Sequence, residues 1–297
     1  MAISRRNFLK VAGMTGGALL TGGRKPAQAQ QTSEGGVEFN GMLIDTTKCI
    51  GCRACEEACN EANQLPKPDV SFSSDSVFEK KRETTPGAFT VVNRFANEKK
   101  PDEPIFVRRQ CMHCNQPACA SACLCRAMEK TKEAAVVYHK DRCMGCRYCM
   151  IACPFDIPKF EYNSPTPYVW KCIFCYERQQ KGKRPACAEV CPTGATLFGK
   201  KRDLLEIART RIYTDPDRYV HHIYGEHEVG GTGWLFLSGV PLEKIDLKTQ
   251  LGTTPYPELT SGFLYAVPMV FVLWPSLLIG LNLIIKDEKG TSHGEKD

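Results

Sequence analysis

The sequence predicts an α+β, loop-rich protein made of two tandem, duplicated cysteine modules and ending in a C-terminal transmembrane helix. Three observations predict it. Sixteen of the 17 cysteines fall into four tetrads, Cys49/Cys52/Cys55/Cys59, Cys111/Cys114/Cys119/Cys123, Cys143/Cys146/Cys149/Cys153 and Cys172/Cys175/Cys187/Cys191, each closing with a C-x3-C interval. Short β-like runs lead into three tetrads, Met42 to Asp45, Ile105 to Val107 and Ala135 to Tyr138, and Ala195 to Phe198 follows the last, so strand, cysteine loop and short helix repeat. The stretch from Gly262 to Ile285 carries no charge.

The N-terminus carries Ser4-Arg5-Arg6-Asn7-Phe8-Leu9-Lys10 and then a mild apolar stretch, Val11 to Leu20, diluted by Gly and Thr. That pattern is a twin-arginine signal peptide over residues 1–29, with Ala27-Gln28-Ala29 as its cleavage signal. Export of an already folded chain suits thiols that are capped by metal before they reach an oxidising compartment. The peptide holds five basic side chains and no acidic one, so its removal takes the formal net charge from +6 to +1. A near-neutral mature chain excludes nucleic acid as a partner, because phosphate binding needs concentrated basic surface. Lys99/Lys100 and Arg108/Arg109 then read as ordinary solvated charge.

Residues 40–200 hold all sixteen tetrad cysteines. The tetrads at Cys49 and Cys143 read C-x2-C-x2-C-x3-C, the run in which three thiolates hold one [4Fe-4S] cluster and the fourth crosses to another. The geometry explains the spacing. A tight loop wraps three sulfurs around one face of a cube, and the last cysteine stands a helical turn further on and points elsewhere. Pro154 and Pro192 follow the fourth cysteine of their tetrads, as that run expects. Four runs imply four [4Fe-4S] clusters.

Structural zinc takes four thiolates but has no use for the third closely spaced cysteine. Pairs three residues apart on short loops suit metal better than disulfides, and an odd total leaves one thiol over. That leftover, Cys125, reads as a buried free thiol. Lys48, Arg53, Arg142, Arg147 and Lys171 adjoin tetrad cysteines and are candidates for tuning cluster potentials. His113 reads as a packing or hydrogen-bonding residue, and His221 and His222 as exposed loop residues.

The remaining segments depart from a compact module. Residues 60–104 are a polar, Pro-punctuated insertion with one strand-like patch, Phe89 to Phe95, and residues 176–186 form a basic loop. Residues 201–211 show a helical apolar stripe, and 212–258 form an extension rich in Gly, Pro and Tyr. As a helix, residues 262–285 run about 36 Å, enough to cross a hydrocarbon core of about 30 Å. Pro268 and Pro275 are expected to kink it, and with Asn282 they favour packing against a partner subunit over a lone anchor. No G-x-S-x-G, H-E-x-x-H or phosphate loop is present, and no catalytic residue is assigned.

Cys111-Met-His-Cys114, Cys143-Met-Gly-Cys146-Arg-Tyr-Cys149-Met-Ile-Ala-Cys153-Pro154 and Trp170-Lys-Cys172, in this order, resemble the four-cluster ferredoxin-type electron-transfer subunits of membrane-bound periplasmic oxidoreductases. The twin-arginine peptide, Tyr224-Gly225-Glu226, Gly230-Gly231-Thr232, Ser238-Gly239-Val240-Pro241 and the C-terminal span are most similar to the iron-sulfur subunits of hydrogenase-2-type [NiFe] hydrogenases. The resemblance implies four crossed ligand sets: Cys49, Cys52, Cys55 with Cys191; Cys172, Cys175, Cys187 with Cys59; Cys111, Cys114, Cys119 with Cys153; Cys143, Cys146, Cys149 with Cys123. It implies a non-catalytic relay of electrons between a periplasmic hydrogenase catalytic subunit and an integral membrane quinone-reactive subunit. A molybdopterin oxidoreductase, of the formate dehydrogenase or polysulfide/DMSO reductase type, is the alternative partner. The implied location is the periplasmic side of the inner membrane. Leu124 stands where such relatives usually have Pro.

Overall fold

The structure is a computed structural model that describes residues 38–98 and 100–291; the expected signal peptide lies outside them. Four times a strand leads into a cysteine loop. Strand β1 (Asn40–Asp45) precedes Cys49, and α1 (Ala54–Ala62) carries Cys55 and Cys59. The insertion supplies β2 (Val91–Phe95), whose antiparallel partner β3 (Ile105–Arg109) leads into Cys111, and α2 (Ala118–Ser121) carries Cys119. Next, β4 (Met128–Lys130) pairs with β5 (Val136–Tyr138) ahead of Cys143, and α3 (Tyr148–Ile151) carries Cys149. Finally β6 (Lys159–Phe160) pairs with β7 (Val169–Trp170) ahead of Cys172, followed by α4 (Tyr176–Gln180) and by α5 (Ala186–Glu189), which holds Cys187. The segment expected as a basic loop at 176–186 thus contains α4 and the start of α5.

Behind this array come β8 (Thr196–Lys200), α6 (Lys201–Thr214), β9 (Trp234–Leu237) and α7 (Tyr256–Thr291). Strand β1 is central in a three-stranded sheet, antiparallel to β8 and parallel to β9, with Met42 opposite both Phe198 and Trp234. Met42, Leu43 and Ile44 are all buried, which explains why β1 reads as a continuous apolar run rather than an alternating one. Pleating then sorts the side chains by face. Met42, Ile44, Trp234 and Phe236 join the core that reaches the cysteines, whereas Leu43, Leu235 and Leu237 pack on Leu204 and Ala208 of α6. The sheet is therefore a wall with cysteine loops on one side and α6 on the other.

Buried polar groups pin the wall's ends. Asp45, wholly buried, accepts hydrogen bonds from Thr47 Oγ1 (2.6 Å), Arg211 NH1 (2.8 Å) and Tyr219 Oη (2.9 Å). Strand β9 corrects the expectation for 212–258: part of this extension is a core strand. Its four residues, Trp-Leu-Phe-Leu, are all buried.

The described residues up to Thr260 form a compact unit. Helix α7 extends beyond it and is longer than the expected 262–285, continuing through Pro268 and Pro275. Within its Tyr256–Leu283 portion an 18-residue window has a mean hydropathy of 2.0, and the portion is long and apolar enough to cross a membrane.

Candidate metal centres

All four C-x2-C units turn in the same way. The residue before the second cysteine is left-handed in each, with φ of 73° at Gly51, 47° at His113, 74° at Gly145 and 61° at Phe174. This corner aims a backbone N–H back at the first cysteine. Gly145 N–H donates to Cys143 Sγ and Phe174 N–H to Cys172 Sγ, both at 3.4 Å. At Gly51 the neighbourhood also demands glycine, since a Cβ would run into the Phe106 ring.

His113 and Phe174 hold the corner without that freedom, at a cost of roughly 1–2 kcal/mol each. Tertiary packing enforces it: both are buried and their rings stack with centroids 4.9 Å apart. Val136 N–H donates to His113 Nδ1 at 2.9 Å, so the proton sits on Nε2. Burial, then the charges of Lys171 and Lys130, hold this imidazole well below the usual histidine range and keep it neutral. His113 is thus the packing and hydrogen-bonding residue the sequence suggested. His221 and His222 are exposed, and His222 Nε2 meets Glu228 Oε1 at 2.6 Å.

The thiols gather by neighbourhood rather than by sequence. Burial raises Cys59, and after burial the charges that act on it are those of Cys172, Cys187 and Cys175. Cys114 is raised by burial and then by Cys111, Cys153 and Cys119. Cys149 is pushed to about 11 by burial and then by Cys123, Cys143 and Cys146. Burial raises Cys49, where Cys191 and Cys52 add to the rise against the pull of Gly51 N–H and Arg108. Each fourth cysteine of a tetrad therefore lies among thiols of a different tetrad. Four such thiolates crowded out of water repel one another and need cationic charge among them, which iron supplies.

Cys59, Cys172, Cys175 and Cys187 together line one small cavity, along with Thr90, Gln110 and Trp234. Thr90 Oγ1, Gln110 Nε2 and Trp234 Nε1 are buried there without a hydrogen-bond partner. Three unspent donor groups beside four thiols fit an anionic iron-sulfide cluster. Among the described residues no three His, Cys, Asp or Glu side chains converge on the position of a single metal ion.

Three sequence expectations change here. Arg108 is buried, not solvated, stacks on Trp234 and feels the charge of Cys187, Cys55 and Cys172; Arg109 is tied by Nε to Glu83 (2.8 Å) and by NH1 to Asp246 (3.1 Å). Arg53 is buried too, but its NH1 donates to the carbonyls of Ser71 (2.9 Å), Phe72 (3.2 Å) and Ser74 (3.0 Å), so it fastens the insertion. Cys125 is half-buried rather than buried, with its sulfur 3.9 Å from Cys123 Sγ. Sequence reasoning missed Gln110 and Trp234, for which an isolated sequence offers no signal beyond nearness to a tetrad in Gln110's case.

Strand-led cysteine loops with left-handed corners, each followed by a short helix, define a ferredoxin-type iron-sulfur protein. A family model described as a 4Fe-4S dicluster domain matches residues 103–201, and one described as a 4Fe-4S binding domain matches residues 40–61. The chain is 46% identical to a protein of Nitratidesulfovibrio vulgaris over 99% of its own length and 80% of that relative. It is 34% identical to the hydrogenase-2 operon protein HybA of Escherichia coli O157:H7, covering 98% of this chain and 97% of HybA. To the iron-sulfur subunit of the nitrate-inducible formate dehydrogenase of Escherichia coli K12 it is 31% identical, over 84% of this chain and 89% of that subunit. The chain belongs to the HybA-like family of ferredoxin-type iron-sulfur subunits, and it binds [4Fe-4S] clusters.

Proposed function

We propose that this chain relays electrons through four [4Fe-4S] clusters between a periplasmic catalytic subunit and a quinone-reactive subunit in the membrane. What supports the reading is that thiols of successive proposed quartets lie near enough to act on one another by charge, as in a row. Cys55 of the Cys49 quartet feels the charge of Cys187, Cys172 of the next quartet feels Cys111, and Cys119 of the third feels Cys149 of the fourth. Each cluster, when bound, supplies a site that accepts and passes on one electron. The polypeptide positions those sites, keeps the inner thiols dry and donates backbone N–H groups to sulfur, which favours the more negative, reduced form.

Cys52 of the first quartet and Cys146 of the fourth are exposed, so each outer quartet has one accessible ligand; Cys59, Cys111, Cys119 and Cys187 of the inner two are buried, as is Cys149 of the fourth. Coverage of nearly the whole of HybA favours a hydrogenase as the catalytic partner. The likeness to formate dehydrogenase iron-sulfur subunits supports a molybdopterin enzyme as the second reading. Anaerobic purification that keeps the associated subunits distinguishes them by whether nickel or molybdenum accompanies the chain. Iron and sulfide analysis of the same material is expected to give about four clusters per chain, and fewer than about three refutes the ligand sets.

Helix α7 is proposed to fix the protein to the inner membrane, its preceding unit lying on the periplasmic side as the twin-arginine peptide suggests. A chain ending at Thr260 is expected to move from the membrane fraction to the soluble fraction while keeping its iron content. Retention of the truncated chain in alkaline-washed membranes argues against the helix as anchor.

A further inference from the structure

Arg108, on β3 three residues before Cys111, is only 4% exposed. Its Nε donates to Gln110 Oε1 at 3.3 Å, and its guanidinium carbon stands 4.6 Å from the centre of the Trp234 ring. Neither NH1 nor NH2 has a hydrogen-bond partner, and no carboxylate pairs with it among the described residues. A buried guanidinium in that condition is costly unless another anion faces it. The anions on hand are thiolates. Trp234 and Gln110, which Arg108 touches, line the same cavity as Cys59, Cys172, Cys175 and Cys187, and the charges of Cys187, Cys55 and Cys172 act on the guanidinium. Its own charge in turn reaches Cys49, Cys59 and Cys175. Those six cysteines belong to two neighbouring quartets, the Cys49 set and the Cys172 set.

We propose that Arg108 is a shared counter-ion for these two adjacent clusters, raising both reduction potentials together. The inference rests on the quartet reading given above. One-electron reduction adds one negative charge to a thiolate-ligated cluster; the electron comes from the upstream donor, and no proton is needed because guanidinium stays charged throughout. A fixed positive charge beside the cluster favours the more negative form, and burial lets it act without screening by water. Because one side chain serves two clusters, its removal shifts two potentials and leaves the other two in place. The stack on Trp234 and the bond to Gln110 hold the charge at that junction. Arg108 is therefore a positioning and tuning residue and not a ligand.

Full-length protein carrying Arg108→Met, which keeps length and loses charge, is compared with Arg108→Lys, which keeps the charge. Each is purified anaerobically and titrated with mediators while paramagnetic resonance follows the individual clusters. Iron and sulfide analysis of the unsubstituted protein tests the quartet reading beforehand, so its failure is separate from that of Arg108. The methionine variant is expected to show the reduced-to-oxidised ratio of two clusters falling about tenfold at a fixed poise, or about 59 mV for a one-electron couple. The other two clusters stay unmoved, and the lysine variant remains near the unsubstituted protein. Unchanged potentials in the methionine variant, or equal shifts in both variants, overturn the proposal. Loss of iron from both variants also overturns it, because Arg108 is then a structural strut.

Discussion

Replacing Cys59 by Ala is expected to abolish the cluster served by Cys172, Cys175 and Cys187, and to spare the one served by Cys49, Cys52 and Cys55. Cys59 sits on α1 four residues after Cys55, one helical turn along, but the charges that act on it come from Cys172, Cys187 and Cys175. Asn63 Nδ2 donates to Cys59 Sγ at 3.6 Å, a further fixed contact on that sulfur. Cys59, Cys172, Cys175 and Cys187 also line one cavity. The measurement is a redox titration by paramagnetic resonance of Cys59→Ala, Cys187→Ala and Cys49→Ala, each with its iron count. Cys59→Ala and Cys187→Ala should remove the same [4Fe-4S] signal, and Cys49→Ala a different one. If Cys59→Ala instead matches Cys49→Ala, ligation follows sequence order and the crossed sets are wrong. The loss should also weaken the fold, because the core around the loops contains Cys111 and Cys187 and packs on Cys55, Cys114, Cys153 and Cys172. Metal-ligand free energy there is folding free energy.

Replacing Glu56 by Ala is expected to destabilise the protein by about 3–5 kcal/mol, the cost of leaving a buried charge without its partner. Glu56 is 5% exposed on α1, between Cys55 and Cys59. Its carboxylate accepts from Arg53 NH2 (3.0 Å), Arg82 NH2 (2.5 Å), Arg82 NH1 (3.1 Å) and Val92 N–H (2.6 Å). Removing it leaves two guanidinium groups and a strand amide facing an empty space. Those partners lie in the insertion and in the cysteine loop, so Glu56 joins the two. In a chain of this size the apparent Tm should fall by on the order of 10 °C, and protease should cut residues 60–104 more readily. Glu56→Gln keeps a neutral acceptor and should lose less. A fall within about 2 °C for the alanine variant means that the insertion is held by other contacts.

Much of the site was legible in the sequence because its chemistry is local. Cysteines must be close in the chain to wrap one cube face, so C-x2-C-x2-C survives as a pattern, and the strands before Cys49, Cys111 and Cys143 show as short apolar runs. Strand β7 ahead of Cys172 was not legible, since two residues carry no periodicity. Strand β9 was hidden for a different reason. Its Trp-Leu-Phe-Leu run is short, flanked by turns and far from the tetrads, and only pairing with β1 makes it a core strand. The long apolar span of α7 needs no partner to be recognised, and it was.

Ligand number, cluster type and the presence of a membrane-length helix are written in the order of the residues, because spacing along a chain sets which sulfurs and apolar groups share a turn. Which quartet neighbours which, and the place of Arg108 between two of them, arise only when β1, β3 and β9 come together. Arg108 shows why. In the chain it is one of two adjacent arginines at the end of a short apolar run, indistinguishable from solvated charge, and its environment is set by Trp234, 126 positions away. A thiolate's neighbours along the chain follow from covalent geometry; its electrostatic neighbours follow from packing.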